Sequence, residues 1–95
     1  MIIDVDNRQA GKTTTLIMDS YFSGVPILTT NVTRRNNITY QAQQMGMNIK
    51  VYTISDLRDV KERPDQIMID ELEDVLSSLL GVKVVKATMS RKGVI

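Results

Sequence analysis

An α/β fold is predicted: a minimal three-layer sandwich in which helices cover both faces of a mostly parallel five-stranded sheet. Two observations predict it. Short apolar runs of strand type alternate with helix-type segments five times along the chain, the pattern of parallel strands joined by crossover helices. The 95 residues are 42% hydrophobic and 24% charged, an ordinary make-up for a folded protein with room for one core. At this length roughly 60–65% of the unfolded surface is buried on folding. A single domain over residues 1–95 is therefore expected, with no second lobe.

Ile2, Ile3 and Val5 form the first apolar run, which leads directly into Gly11-Lys12-Thr13. From Thr13, Leu16, Ile17, Met18 and Phe22 suit a helix ending near Ser23-Gly24. Val25 to Thr30 reads as a second strand, with Pro26 near its start, where a missing ladder donor does least harm. Asn36 or Asn37 is the expected cap of a helix that runs to about Met45 and stops at Gly46. Ile49, Val51 and Tyr52 make a third strand. Ser55 then caps a short helix from Asp56 to about Glu62, ended by Pro64. Ile67-Met68-Ile69 is a buried-looking strand that delivers Asp70 and Glu71 at its C-terminal end. A helix from about Leu72 to Leu80 is stopped by Gly81, and Val82 to Thr88 is the last strand.

Composition removes several classes of chemistry. Cysteine and histidine are both absent, and with them disulfides, thiolate nucleophiles, ordinary zinc sites and imidazole catalysis. Twelve Lys and Arg against eleven Asp and Glu leave a net charge of +1, so any nucleic-acid site must be local. No apolar run approaches the ~20 residues of a membrane span, and Asp4 interrupts the place of a signal-peptide apolar stretch. A cytoplasmic protein, in the host cytoplasm if viral, is the expectation.

Three constellations carry chemistry. The first is Asp6-Asn7-Arg8-Gln9-Ala10-Gly11-Lys12-Thr13, a variant P-loop between strand and helix. In such a loop backbone N–H groups wrap phosphates, the Lys ammonium sits on the terminal ones and the Thr hydroxyl ligates Mg²⁺. Gln9, Ala10, Gly11, Lys12, Thr13 and Thr14 are the candidate nucleotide-binding residues, with Thr13 a candidate metal ligand. Asp6 stands where the full pattern has its first glycine, and its carboxylate would repel a triphosphate unless Arg8 or Lys12 neutralises it. The second is Ile67-Met68-Ile69-Asp70-Glu71, in which Asp70 is placed to hold Mg²⁺ through water and Glu71 to activate an attacking water. For an isolated strand followed by acids, the plainer reading is a helix whose first turn suits its dipole. The third is Val84 to Ser90, an apolar run ending in hydroxyls, where Thr88 or Ser90 could touch a terminal phosphate or the attacking water.

Taken together, these segments carry a resemblance. Arg8-Gln9-Ala10-Gly11-Lys12-Thr13-Thr14 resembles the deviant P-loop, or Walker A motif, of phage terminase large subunits, in which the first glycine is often replaced. Ile69-Asp70-Glu71 is similar to the Walker B segment of terminases and superfamily 2 helicases, and Ala87-Thr88-Met89-Ser90 to their coupling motif. Leu28-Thr29-Thr30-Asn31 is similar, more loosely, to a segment of filamentous-phage assembly ATPases. The resemblance implies a miniature, truncated P-loop NTPase-like domain, phage-encoded and linked to DNA packaging or other DNA metabolism, that binds ATP with Mg²⁺. Terminases also carry a nuclease domain and helicases a second lobe, so their motor activity does not carry over.

By the same resemblance, Arg8 is a charge-stabilising finger, and with Lys12 and Glu71 it completes the candidate catalytic set. Arg34-Arg35 and Arg91-Lys92 come after strands, where ligands of open α/β sheets gather. They suit DNA phosphates or a finger offered to a neighbouring subunit of a homo-oligomer, against the commoner reading of solvated surface pairs. The residues support two readings of function and exclude a third. One is a small ATP-binding protein with ATPase activity as a further possibility. Another is a degenerate P-loop module without turnover, kept for protein interaction or structure. A nucleotide kinase would need an arginine-rich lid, and no segment is long enough for one.

Overall fold

The computed structural model describes residues 9–85 of the chain. In chain order they form α1 (Gln9–Ser23), β1 (Ile27–Thr29), α2 (Val32–Gln44), β2 (Val51–Thr53), α3 (Ile54–Asp59), β3 (Met68–Ile69) and α4 (Leu72–Leu80). The alternation of strand and helix is as the pattern predicts, but the sheet is smaller. Among the described residues it has three strands in the order β2-β1-β3, not five. Both pairings are parallel.

The difference has a local cause at the C-terminal side. The expected last strand, Val82 to Thr88, is described as far as Val85 and forms no strand there. The Val84 N–H instead donates to Ser77 Oγ of α4 at 2.9 Å. A backbone donor spent on α4 is not available to a ladder. The expected first strand, Ile2 to Val5, lies outside the described residues, as does the remainder of the last one, Lys86 to Thr88. The structure is thus a small α/β fold with a three-stranded parallel sheet and four helices among the described residues.

Register explains the core. Ile27 of β1 lies opposite Val51 of β2 and Met68 of β3, and residues level with one another in a sheet point to the same face. Against that row pack Ile17 from α1 with Ile38 and Ala42 from α2, joined by Leu16, Met45, Met47 and Ile49. Ile17, Ile27 and Ile38 are fully buried, each contributing roughly 1.5–3 kcal/mol by transfer from water. All three residues of β1 are buried, as befits the central strand of a parallel sheet. The α1 and α2 helices therefore share one face and bring their N-terminal turns to the edge where the strands end.

Helix ends obey local chemistry, in two cases at a different residue from the one predicted. The cap of α2 is Asn31, whose Oδ1 accepts the Arg34 N–H at 2.8 Å, so the helix begins before Asn36 and Asn37. The cap of α3 is Thr53 rather than Ser55: Thr53 Oγ1 accepts the Asp56 N–H at 3.1 Å, and Asp56 Oδ2 accepts the Thr53 N–H at 3.0 Å. This reciprocal pair satisfies two donors that a helix start otherwise leaves open. Gly46 and Gly81 end their helices at φ of 72° and 73°, in the left-handed region that glycine enters at no steric cost. No helix among the described residues is long and apolar enough to cross a membrane.

Two measurements test these contacts. Ile38→Ala should lower unfolding free energy by about 2–5 kcal/mol, the usual cost of emptying a buried aliphatic site, measured by urea titration. Asp56 is held below its ordinary value of 3.8 by the Thr53 N–H and by Arg35. A carboxylate lowered in the folded state contributes stability above its unfolded pKa and loses it as pH falls through the folded one. The stability gap between the parent and Asp56→Asn should therefore be constant near neutrality and close only below about pH 4.

Candidate functional site

Parallel strands end on the same side, so β1 and β3 deliver the residues after them to one edge. The Asp70 N–H donates to Leu28 O at 2.9 Å, carrying the ladder one residue past β3. That places Asp70 beside Thr29, whose Oγ1 donates to Asp70 Oδ2 at 3.0 Å. Beyond β1 the chain turns through Thr30, is capped by Asn31, and presents Arg34 in the first turn of α2. Arg34 Nε donates to Asp70 Oδ2 at 2.9 Å and Nη2 to Oδ1 at 3.3 Å. The same Nη2 donates to Thr13 Oγ1 of α1 at 2.9 Å. One guanidinium thus ties together α1, α2 and the end of β3.

Energetics make this cluster necessary. Asp70 is only 6% exposed, and a carboxylate removed from water is costly unless paired and hydrogen-bonded. Thr29 and Arg34 supply both. In return, the hydrogen bond from Arg34 to Asp70 raises the guanidinium pKa against the opposing effect of partial burial, helped by the charges of Asp70 and Glu71. Arg34 is charged at every accessible pH. Gln41 Nε2 donates to Thr14 Oγ1 at 3.0 Å, a second tie between α2 and α1. Among the described residues no buried side-chain nitrogen or oxygen lacks a partner.

Glu71 is the strained member. Its φ of 58° and ψ of 73° make it the sole non-glycine residue at positive φ among the described residues. For an L-residue that backbone costs on the order of 1–2 kcal/mol. Its side chain makes no cap hydrogen bond to α4 and is exposed. Non-glycine residues held this way concentrate where a site must aim a side chain.

The structure brings together Thr13 and Asp70, the two candidate metal ligands, which are distant in sequence and meet on Arg34. In the structure α1 is described from Gln9 on, so Gly11, Lys12 and Thr13 are already helical. The hydroxyls of Thr13 and Thr14 form the contacts to α2, one turn of helix beyond Gln9. Lys12 is half-buried in that turn. Arg8, Asp6, Thr88, Arg91 and Lys92 lie outside the described residues. Arg34 and Arg35, expected at DNA phosphates, are each paired internally: Arg34 with Asp70, and Arg35 through Nη1 with Asp56 Oδ2 at 2.7 Å. Nε and Nη2 of Arg34 and Nη1 of Arg35 are engaged in these contacts.

Whether Mg²⁺ fits is decided by the same contacts. A hydroxyl and a carboxylate are suitable hard ligands, and among the described residues no group of three or more acidic side chains adds to them. Yet both carboxylate oxygens of Asp70 already accept hydrogen bonds, and a cationic nitrogen stands 2.9 Å from Thr13 Oγ1. The described arrangement does not accept the ion between them.

Sequence reasoning missed Arg34 and Thr29 as partners of Asp70. The available signal was Asn31-x-x-Arg34, a cap that sets Arg34 in a first helical turn just beyond a strand end. A shallow depression lined by Arg35, Tyr52, Asp56 and Val60 takes in none of Thr13, Thr29, Arg34 or Asp70. The fold and cluster define a small α/β domain with a hydroxyl–guanidinium–carboxylate centre at the C-terminal edge of a parallel sheet. No family model, curated protein or solved structure matches the chain.

Removing Arg34 should leave Asp70 as a buried, uncompensated charge. Because the Arg34 side chain is 32% exposed, the cost of Arg34→Ala should be about 1–3 kcal/mol, below the ~3–5 of a fully buried pair. Arg34→Ala combined with Asp70→Asn should cost less than the sum of the single changes, as measured by a double-mutant cycle in urea.

Proposed function

We propose that the chain is a miniature P-loop domain that binds the phosphates of a nucleotide, with ATP the ligand to test first. One observation carries this reading. The Gly11-Lys12-Thr13 segment lies near the described start of α1, and its Thr13 reaches the same guanidinium as Asp70, the acid just past β3. A Walker A hydroxyl and a Walker B carboxylate stand in that relation when a P-loop helix lies beside the strand ends of a parallel sheet. In this reading backbone amides of Gln9, Ala10 and Gly11 meet phosphate oxygens. Lys12 supplies positive charge that a polyphosphate requires.

Mg²⁺, when bound by a P-loop domain, neutralises developing phosphate charge. Arg34 stands where the ion would lie, so the cationic work at this edge falls to the chain's own side chains. Glu71, exposed and aimed by its strained backbone, is the residue of this site suited to orienting a water. The second reading, binding without turnover, draws support from the closed hydrogen bonding of Asp70. Three hydrogen bonds occupy most of the roughly four acceptor sites of that carboxylate.

Calorimetric titration with ATP is the primary measurement. The parent chain should bind, and Lys12→Ala should weaken binding at least about tenfold, equivalent to ~1.4 kcal/mol. Absence of binding by the parent, or no change in Lys12→Ala, defeats the nucleotide reading. Phosphate release then separates the two forms of it. Turnover that falls about a hundredfold or more in Glu71→Gln identifies a hydrolase, whereas binding with no release identifies the module without turnover.

A further inference from the structure

We propose that Arg34 is the resident cation of this site: it occupies the position between Thr13 and Asp70 that a divalent metal would take, so phosphate is bound there without metal. The first half stands on the geometry alone; the second rests on the nucleotide reading. Magnesium takes near-octahedral oxygen ligands at about 2.0–2.1 Å. Reaching Thr13 Oγ1 and an Asp70 oxygen together would set the ion against Nη2, which lies 2.9 Å from the one and 3.3 Å from the other. Two cations cannot share that space at such separation, and Asp70 has one negative charge to offer.

A second feature shows that Arg34 is held for Asp70 rather than for its helix. Arg34 lies in the first turn of α2, which contains no acidic residue. Positive charge at a helix N-terminus opposes the backbone dipole. The position is kept because Asn31 Oδ1 fixes the Arg34 backbone N–H at 2.8 Å and Asp70 holds the side chain in a two-point fork. A guanidinium carries five N–H donors in one plane. Asp70 and Thr13 use those on Nε and Nη2, and neither uses Nη1. Guanidinium edges match phosphate oxygens as well as carboxylates, so Arg34 can serve Asp70 and a phosphate together.

Two titrations test this. In the first, Mn²⁺ is monitored by electron paramagnetic resonance with the full chain and no nucleotide. The parent should show no site that depends on Asp70, whereas Arg34→Gln should gain one that disappears when Asp70→Asn is added. A parent site abolished by Asp70→Asn overturns the proposal. In the second, ATP is titrated in EDTA and in Mg²⁺. The parent affinities should agree within about threefold, and Arg34→Gln should lose about tenfold or more in EDTA and recover in Mg²⁺. A parent that gains more than about threefold from Mg²⁺ overturns metal-independent binding while leaving the nucleotide reading intact. Failure to bind ATP in either buffer removes the nucleotide reading, and the Mn²⁺ arm still decides the metal exclusion. If Arg34→Gln does not fold, the two parent measurements alone decide both halves of the proposal.

Discussion

The buried carboxylate of Asp70 is the constraint around which this domain is organised. A parallel ladder carries it past the end of β3 into a position 6% exposed, where an ionised group survives only with a compensating charge and filled hydrogen bonds. Thr29 from β1 and Arg34 from α2 meet that demand, and Thr13 from α1 accepts from the same guanidinium. Four elements are consequently locked at one edge by a single charge. The apolar row of Val51, Ile27 and Met68 holds the opposite end of the same structure, with Ile17 and Ile38 upon it.

This division of labour explains why the site can be polar without loosening the fold. The apolar contacts that stabilise α1 and α2 lie along the helix bodies, whereas the ionic contacts lie at their starts. Strain is confined to Glu71, one residue beyond the anchored Asp70, where the ladder bond from Asp70 to Leu28 and the first α4 bond from Val75 to Glu71 hold both flanks. A backbone restrained on both sides can keep an unfavourable conformation that a free loop would relax. The guanidinium of Arg34 also balances the charge of Asp70 within the protein.

Parts of the structure were legible from residue order. Gly46 and Gly81 ended their helices as their type and position implied, and the boundaries of α4 could be placed from its apolar spacing between Glu71 and Gly81. Caps were legible as chemistry but not as address. Asn31 and Thr53 compete with Asn36, Asn37 and Ser55, all of them good capping residues, and only the point at which each strand ends selects among them. The run from Val82 to Val85 has the composition of a strand, yet its Val84 amide is taken by Ser77 on the preceding helix. Strand propensity describes a surface that a residue suits, and whether a neighbouring strand is available lies outside it.

By itself the sequence determined the alternation of strands and helices, the apolar spacing of α1, and the presence of a Gly-Lys-Thr segment and of an acidic strand end. These depend on neighbours within a few positions, which residue spacing encodes directly. Tertiary structure alone decided that Arg34, whose commoner reading is a solvated surface charge, closes on Asp70 and Thr13. That contact joins residues 36 and 21 positions apart. It exists because two parallel strands finish side by side and the buried charge has no other cation among the described residues to balance it.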